Sequence, residues 1–140
     1  MIYKKIDSNH YVIRIDKEEE VLDNITKLCK KEKIKAGSVV GLGAAKYIKI
    51  GLYDVVEKQY HSIEMEEPME ITSLVGNISQ KDGEVYLHFH INVSNKDMKV
   101  YGGHLNSCVI GATCELVLTV LDGSIDREFN EELGLNLFKF

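Results

Sequence analysis

Cysteine is scarce in this chain, and its placement excludes two common ways of stabilising a small protein. The 140 residues include 3 cysteines, an odd number, at the well-separated positions Cys29, Cys108 and Cys114. This spacing matches neither a disulfide framework nor a paired-cysteine zinc motif. We therefore expect reduced thiols that pack as small apolar side chains. A ligand role for Cys108 or Cys114 is the alternative, but core packing is favoured.

Long apolar runs and net positive charge are also missing. No segment is long enough to cross a membrane, and residues 1–16 lack the apolar stretch and cleavage pattern of a signal peptide, so we expect a cytoplasmic protein. The net charge of −5 argues against an isolated nucleic-acid binder, because neutralising phosphates supplies much of that affinity. A local basic patch is still compatible with this total.

One stretch has the pattern of an amphipathic helix. Asp16 has the properties of an N-cap, and Glu19 those of its capping-box partner. The pattern predicts a helix from about Lys17 to Glu32, ended by Ala36-Gly37. The glutamates at residues 18–20 are interpreted as a solvated helix start rather than a binding site. One apolar stripe at helical spacing supports the helix: Val21, Leu22, Ile25, Leu28 and Cys29.

The remaining pattern is typical of β-strands. Gly41 to Lys46 lacks the third glycine and the following helix of a dinucleotide-binding loop, so these glycines are interpreted as a turn between strands. Pro68 should open a strand or lie at a sheet edge, and Asp82-Gly83 predicts a hairpin turn. The apolar tail at residues 135–140 should dock on the fold. Strands are expected at residues 11–15, 38–42, 47–56, 58–65, 69–78, 85–93 and 109–121.

These elements predict one α+β domain over residues 1–140. We expect a single compact domain with a largely antiparallel β-sheet and one main N-terminal helix. The chain shows no internal repeat, linker or low-complexity segment.

Histidines are concentrated in the stretch from Gly76 to Leu105, which holds three of the five. Residues 85–93 alternate strictly between apolar odd positions and polar even positions, which predicts a strand with one buried face. His88 and His90 therefore project from the same polar face. After a polar turn the chain returns to Gly102-Gly103-His104, where small residues would let the backbones approach closely. We expect function where these histidines converge.

A metal site is one interpretation of His88, His90 and His104. Three nitrogen ligands suit zinc or another divalent metal and leave the fourth position to water or substrate. Solvated histidines, or histidines at a subunit interface, are the alternatives. Glu115, a lone carboxylate in an apolar strand, is the candidate acid/base or orienting group, and an exposed glutamate is its alternative. No catalytic nucleophile is assigned, because Ser107 and Cys108 show no positioned base.

Five segments in order carry a family resemblance: Gly76-Asn77-Ile78, Gly83-Glu84, Leu87-His88-Phe89-His90, Gly102-Gly103-His104-Leu105 and Thr113-Cys114-Glu115. Together they resemble the PPC domain, the plants and prokaryotes conserved domain, over nearly the whole chain. Arg127 with Gly134-Leu135 resembles the closing segment of the family.

The resemblance implies a compact α+β fold and a homotrimer. The family is often described as DNA-binding, whereas some stand-alone prokaryotic members resemble metal-binding proteins with histidines that match His88, His90 and His104. Two departures matter. No AT-hook of the Arg-Gly-Arg-Pro type is present, and Asn130 stands where the family often has aspartate, so no pairing of Arg127 is carried over.

Two functions from different classes follow. The first is a PPC-domain protein of the class described as DNA-binding, acting as a homotrimeric regulatory or interaction module with a histidine-lined site. The alternative is a zinc-binding protein, or an enzyme acting on a small-molecule ligand, that uses the three histidines. DNA binding predicts clustered Lys and Arg with a steep salt dependence, and metal binding predicts a stoichiometric metal.

Overall fold

The computed structural model describes all 140 residues, and β-strands dominate it. In chain order the elements are β1 (Ile2–Lys5), β2 (His10–Asp16), α1 (Val21–Glu32), β3 (Gly37–Asp54), β4 (Gln59–Lys81), β5 (Glu84–Ser94), β6 (Val100–Val120), β7 (Asp126–Asn130) and β8 (Leu135–Lys139). All eight strands belong to one sheet. Every strand pair is antiparallel except β4 with β7, which meet in parallel at Gln80 and Asp126. The predicted antiparallel α+β fold with one N-terminal helix is confirmed.

The strand order brings distant parts of the chain together around β6. The main path runs β1-β2-β6-β3-β4-β7-β8, and β5 pairs with both β4 and β6. The four central strands β3, β4, β5 and β6 thus form a closed cycle of pairs. β6 changes neighbours along its length, with β5 beside residues 100–104 and β2 beside residues 113–119. This change of neighbours decides which side chains meet on each part of its outer face.

The core lies between the inner face of the sheet and α1. A single cluster of 25 buried apolar residues includes Val21, Ile25 and Leu28 of the helix, and Phe89 and Ile91 of β5. Because side chains alternate along a strand, burying Phe89 and Ile91 leaves the neighbouring His88 and His90 on the outer face. All three cysteines are free and buried in this core, as expected from the sequence.

The start of α1 differs from its prediction. Asp16 is not the N-cap, because β2 continues through it and pairs it with Thr113 of β6. Glu19 does accept a hydrogen bond from the Asp16 N–H at 2.8 Å, but this contact closes a turn ahead of the helix. Glu20 is the N-cap and accepts from the Asp23 N–H at 2.7 Å. The helix therefore begins about one turn later than predicted.

The end of α1 and the glutamate run also need correction. The predicted last residue, Glu32, is confirmed, but the cap is Lys33, in the left-handed region at φ 57°, rather than Ala36-Gly37. The glutamates make specific contacts rather than a purely solvated start. Glu18 pairs with Lys46, Glu19 with the N-terminal ammonium, and Glu20 also accepts from the Cys108 N–H of β6 at 2.9 Å.

Two predicted strand breaks are bulges in continuous strands. β3 runs through Gly41 and Gly43 with a register shift between them. A Cβ at Gly43 would lie 2.3 Å from the Thr113 carbonyl oxygen, so glycine allows β6 to approach there. β4 runs through Pro68, whose position coincides with a second register shift, between the pairs of Ala45 and Tyr47. Neither expected break is present, because a bulge absorbs the irregular residue without ending the strand. The other expectation for Pro68, a sheet edge, is met, because β4 pairs only with β3 there and its pairing with β5 begins at Glu70.

Two other local predictions are confirmed. Asp82 and Gly83 have φ of 53° and 81°, the left-handed pair of a tight hairpin turn between β4 and β5. The apolar tail forms β8, which pairs with β7 and so docks on the sheet. The single helix is neither long nor apolar enough to span a membrane.

Candidate functional site

Strand pairing places the three histidines side by side on the outer face of the sheet. His88 and His90 are two positions apart on β5, so they point the same way. His90 is the direct cross-strand partner of His104 at the start of β6. His90 is exposed, and the other two are half-buried. The convergence predicted from the alternation of β5 and the position of His104 is confirmed.

The ring nitrogens of the three histidines face a common point. One ligand atom from each lies within 4.8 Å of the others, and the ring centroids are 5.2, 5.2 and 5.6 Å apart. The Nε2 atoms of His88 and His90 are 3.2 Å apart. Two nitrogens bound tetrahedrally to zinc at 2.0–2.1 Å would be separated by about 3.3 Å. The donor set and its spacing therefore fit a divalent metal ion.

Two glycines allow this close approach. Gly103 precedes His104, and a Cβ there would lie 2.8 Å from the carbonyl oxygen of Gly51 on β3. Gly51 is itself the cross-strand partner of His104. A Cβ on Gly51 would lie 2.3 Å from the hydroxyl of Tyr60, so glycine makes room for that ring. The role predicted for Gly103 is supported, whereas Gly51 was not recognised from the sequence.

Tyr60 forms one wall beside His104. Its ring meets the imidazole edge-on, with centroids 6.4 Å apart, and its hydroxyl donates to Oδ1 of Asn106 at 2.6 Å. Tyr60 lies in a hairpin arm of β4 that the sequence pattern did not connect to the histidines. Its contact limits the freedom of the His104 ring, which favours a preorganised donor set.

Burial favours the neutral form of His88 and His104 by lowering the pKa of each. Desolvation, followed by the charges of His104, His90 and Arg127, lowers the pKa of His88 from 6.5 to about 4. Desolvation and then His90 also lower the pKa of His104. A neutral imidazole has a lone pair available for a metal, so at pH 7 these two rings are in the ligand form.

Arg127 is a further residue at this site, and only the resemblance had pointed to it. It reaches from β7 and donates to Ser79 Oγ at 2.7 Å, to Asn77 Oδ1 at 2.8 Å and to the Asn136 carbonyl at 2.8 Å. Asn77 is the cross-strand partner of His88. Asn130 makes no contact with Arg127 of this kind, and its side chain instead accepts from the Leu133 N–H at 2.9 Å.

Glu115 does not join the histidines. It lies on β6, where its partners are Arg14 of β2 and Leu42 of β3, and its side chain is exposed. Positions 104 and 115 are separated by about 36 Å of strand, at about 3.3 Å a residue. Within one chain Glu115 is therefore too distant to orient an imidazole or transfer a proton there, and its exposed side chain matches the alternative expectation. A role for Glu115 at the site stays a prediction.

The remaining histidines and the two candidate cysteines do not belong to the cluster. Burial raises the pKa of Cys114 to about 12 and also raises the pKa of Cys108, so neither is a ready thiolate. His10 contacts Asp7 at 2.9 Å, and His61 is exposed on β4. The donor set of the site thus consists of imidazoles, with no carboxylate or thiol.

The comparisons with known proteins agree with this fold. The family model of the Plants and Prokaryotes Conserved (PCC) domain, the PPC domain named above, matches residues 4–122. No curated protein matches the chain.

Three solved structures are similar over almost the full length. A candidate DNA-binding protein from Bacteroides thetaiotaomicron is 35% identical with a TM-score of 0.96, covering 99% of this chain and 96% of that one. A metal-containing protein from Archaeoglobus fulgidus is 32% identical with a TM-score of 0.87, covering 100% and 99%. A plant- and prokaryote-conserved protein from Pyrococcus horikoshii is 31% identical with a TM-score of 0.86, covering 99% and 94%.

Proposed function

Because this chain belongs to the Plants and Prokaryotes Conserved domain family, we propose that it is a metal-binding protein whose site is the histidine cluster. His88, His90 and His104 hold one divalent ion, zinc by preference, since three imidazoles form a borderline-soft nitrogen set. The single observation that carries the proposal is the convergence of three ring nitrogens within 4.8 Å. The metal-containing relative from Archaeoglobus fulgidus supports it.

The proposal assigns separate tasks to the surrounding residues. Tyr60 and the paired glycines Gly51 and Gly103 hold His104 in place, while Phe89 and Ile91 anchor the opposite face of β5 in the core. When bound, the metal supplies a Lewis acid with a position open to water or a small molecule. No carboxylate of this chain lies among the histidines.

Metal content of the purified protein tests this proposal. The protein is prepared without chelators or nickel columns, reconstituted with zinc, dialysed and measured by elemental mass spectrometry. We expect about one zinc per chain in the wild type and in the exposed control His61→Ala, and almost none in His104→Ala. Folding of each variant is checked by circular dichroism. A folded His104→Ala protein that retains the wild-type zinc content contradicts the proposal.

We further propose self-association, which the family resemblance implied as a homotrimer. An apolar row crosses the outer face of the sheet through the cross-strand partners Val12, Val117, Val40 and Val75, each between 41% and 57% exposed. The next residue of the row is His90. A second copy covering these valines would therefore lie beside the histidines.

The mass of the protein in solution tests the proposed self-association. Light scattering should give three times the chain mass of 15.9 kDa at micromolar concentration. Val40→Asp should shift the protein towards the monomer, whereas Lys96→Asp, on an exposed turn, should not. A wild-type monomer would contradict self-association and leave the metal proposal intact.

DNA binding is a second candidate, supported by one feature of the surface. Four lysines occur within residues 30–35 at the end of α1, and Lys33 and Lys35 line one cavity together with Lys5. The relative from Bacteroides thetaiotaomicron favours the same candidate. Such a patch could neutralise phosphates although the whole chain is acidic.

Charge reversal tests this candidate. The double variant Lys33→Glu/Lys35→Glu should weaken binding to duplex DNA and flatten its salt dependence, by about 0.9 in log–log slope for each phosphate that is no longer neutralised. The matched control Lys96→Glu/Lys99→Glu makes the same charge change at the β5–β6 turn. DNA affinity that is absent in the wild type, or equal in the two variants, contradicts the candidate.

A further inference from the structure

Arg127 is a buried cation without an anionic partner. Its exposed fraction is 8%, and its hydrogen bonds go to the neutral groups of Ser79, Asn77 and Asn136. None of the ion pairs in the structure includes it. Arg14, the other arginine, is exposed and paired with Asp16 at 2.8 Å. A buried charge with only neutral partners is costly, which suggests that an anion completes the site.

Two aromatic rings fix the plane of this guanidinium. Its central carbon lies 4.3 Å from the centroid of the Phe138 ring and 4.7 Å from that of Tyr86. These cation–π contacts offset part of the cost of burial, but they supply no negative charge. They hold the group at a set position and orientation, so its hydrogen-bonding edge is preorganised for a ligand.

Two of the guanidinium's donors have no hydrogen-bond partner in the protein. A guanidinium has five N–H donors, and the protein uses one on each of its three nitrogens. One N–H is therefore left on Nη1 and one on Nη2. Each of these two N–H groups can donate to an oxygen of a carboxylate or a phosphate.

The guanidinium lies next to the proposed metal ligands. Nη2 donates to Asn77, the cross-strand partner of His88, and Tyr86 precedes His88 by two positions on the same face of β5. The histidine cluster includes no acidic side chain and Arg127 has no ion-pair partner, so no carboxylate of this chain balances a bound metal ion or the guanidinium.

We propose that the site binds a small oxyanion, a carboxylate or a phosphate, whose charge is shared between the bound metal and the two unpartnered N–H groups of Arg127. This inference rests on the proposed metal-binding function and deepens it by naming the class of ligand. Arg127 determines specificity by favouring ligands with anionic oxygens.

The test uses the full-length protein loaded with cobalt(II), whose visible spectrum responds to ligands at the metal. Acetate and inorganic phosphate are titrated separately, and the tighter binder identifies the kind of oxyanion. The wild type and the control Arg14→Met should show a saturable spectral change. Arg127→Met should keep its cobalt but bind the anion about ten- to a hundred-fold more weakly, the value of a charge-assisted hydrogen bond.

A second variant decides the question if Arg127→Met fails to fold. Asn77→Asp keeps the shape of the side chain and puts a carboxylate against Arg127, so anion affinity should fall by a similar factor. The control Asn92→Asp adds the same charge on the same face of the sheet, where Asn92 contacts Ser73 rather than Arg127. It should lower the anion affinity less than Asn77→Asp does.

The outcomes separate the two proposals. Cobalt uptake with no spectral response to either anion, or with equal affinity in the wild type and the variants at positions 127 and 77, overturns the oxyanion inference alone. Failure of the wild type to take up cobalt contradicts the metal-binding function and this inference with it.

Discussion

The two ends of β6 both alternate between buried and outward-facing side chains, with the phase reversed across the register shift between Leu105 and Ser107, and they present different chemistry. At the first end, Leu105 is buried and His104 faces outward against β5 and β3. At the second end, Leu116 is buried and Glu115 faces outward against β2 and β3. The inner faces are equivalent parts of one core. The outer faces differ because β5 brings two histidines to the first end, whereas β2 brings Arg14 to the second.

The alternation of side chains thus determines which residues of a strand face outward. The pairing of strands determines which other side chains lie beside them. A polar residue on the outer face becomes part of a site only if its cross-strand neighbours carry matching groups. His104 meets His90, and Glu115 meets Arg14. Substitutions at the histidine end and the Glu115 end of β6 should therefore have different consequences.

Removing a ligand at the histidine end should have the largest effect. His90→Ala should weaken zinc affinity by more than the about 10–100-fold that losing an outer-shell partner costs, because it removes a donor itself. Glu115→Ala should leave zinc affinity within about twofold of the wild type. Competition with a chromogenic chelator measures both. A comparable loss of zinc affinity in His90→Ala and Glu115→Ala would contradict the assignment of the metal site to the histidine end of β6.

The inner faces should respond alike. Leu105→Ala and Leu116→Ala each remove a fully buried side chain, so each should lower the free energy of unfolding by about 2–5 kcal/mol. Urea denaturation of the metal-free protein measures this change. If only one of the two variants lowered the free energy of unfolding, the core would not be continuous along β6.

Close backbone packing should matter at the histidine end. Gly103→Ala places a Cβ against the Gly51 carbonyl, so we expect a loss of about 1–3 kcal/mol in the free energy of unfolding together with weaker zinc binding. The exposed control Glu115→Ala should stay within about 0.5 kcal/mol of the wild type. Unchanged stability and zinc affinity in Gly103→Ala would mean that the strands can separate there without cost.

The last effect concerns pH, and the partial exposure of His88 to solvent reduces its size. Because burial lowers the pKa of His88 from 6.5 to about 4, the unfolded chain binds more protons than the folded one between these values. Stability of the metal-free protein should therefore be fully present above pH 6.5 and should fall as pH decreases towards 4. His88→Gln should reduce this fall in the urea midpoint, while His61→Gln should retain it. If the urea midpoint changed equally with pH in the wild type, His88→Gln and His61→Gln, the lowered pKa of His88 would be contradicted.

The sequence allowed the histidine face and the fold class to be predicted because both depend on local periodicity. The period of two over β5 placed His88 and His90 together, and the glycines before His104 indicated close strand approach. The turn at Asp82-Gly83 was equally local. These features need no knowledge of distant pairing, so a pattern along the chain was enough.

Features that depend on distant partners could not be predicted. Asp16 has the chemistry of an N-cap, but pairing with β6 keeps it in β2. Gly41 and Gly43 resemble a turn, yet they let two strands approach at a bulge. Arg127 meets Asn77 fifty positions away, through strands joined by a single parallel bridge. Such contacts follow from the register of the sheet, which the alternation of single strands does not specify.

X-ray absorption at the zinc edge tests the central claim most directly, because it counts the atoms around the metal. For reconstituted wild-type protein we predict nitrogen scatterers at about 2.0–2.1 Å with the multiple-scattering pattern of three imidazoles. His104→Ala should show the loss of one imidazole or of the metal. Sulfur scatterers at about 2.3 Å, or a shell of oxygen atoms alone, would contradict a metal centre built on His88, His90 and His104.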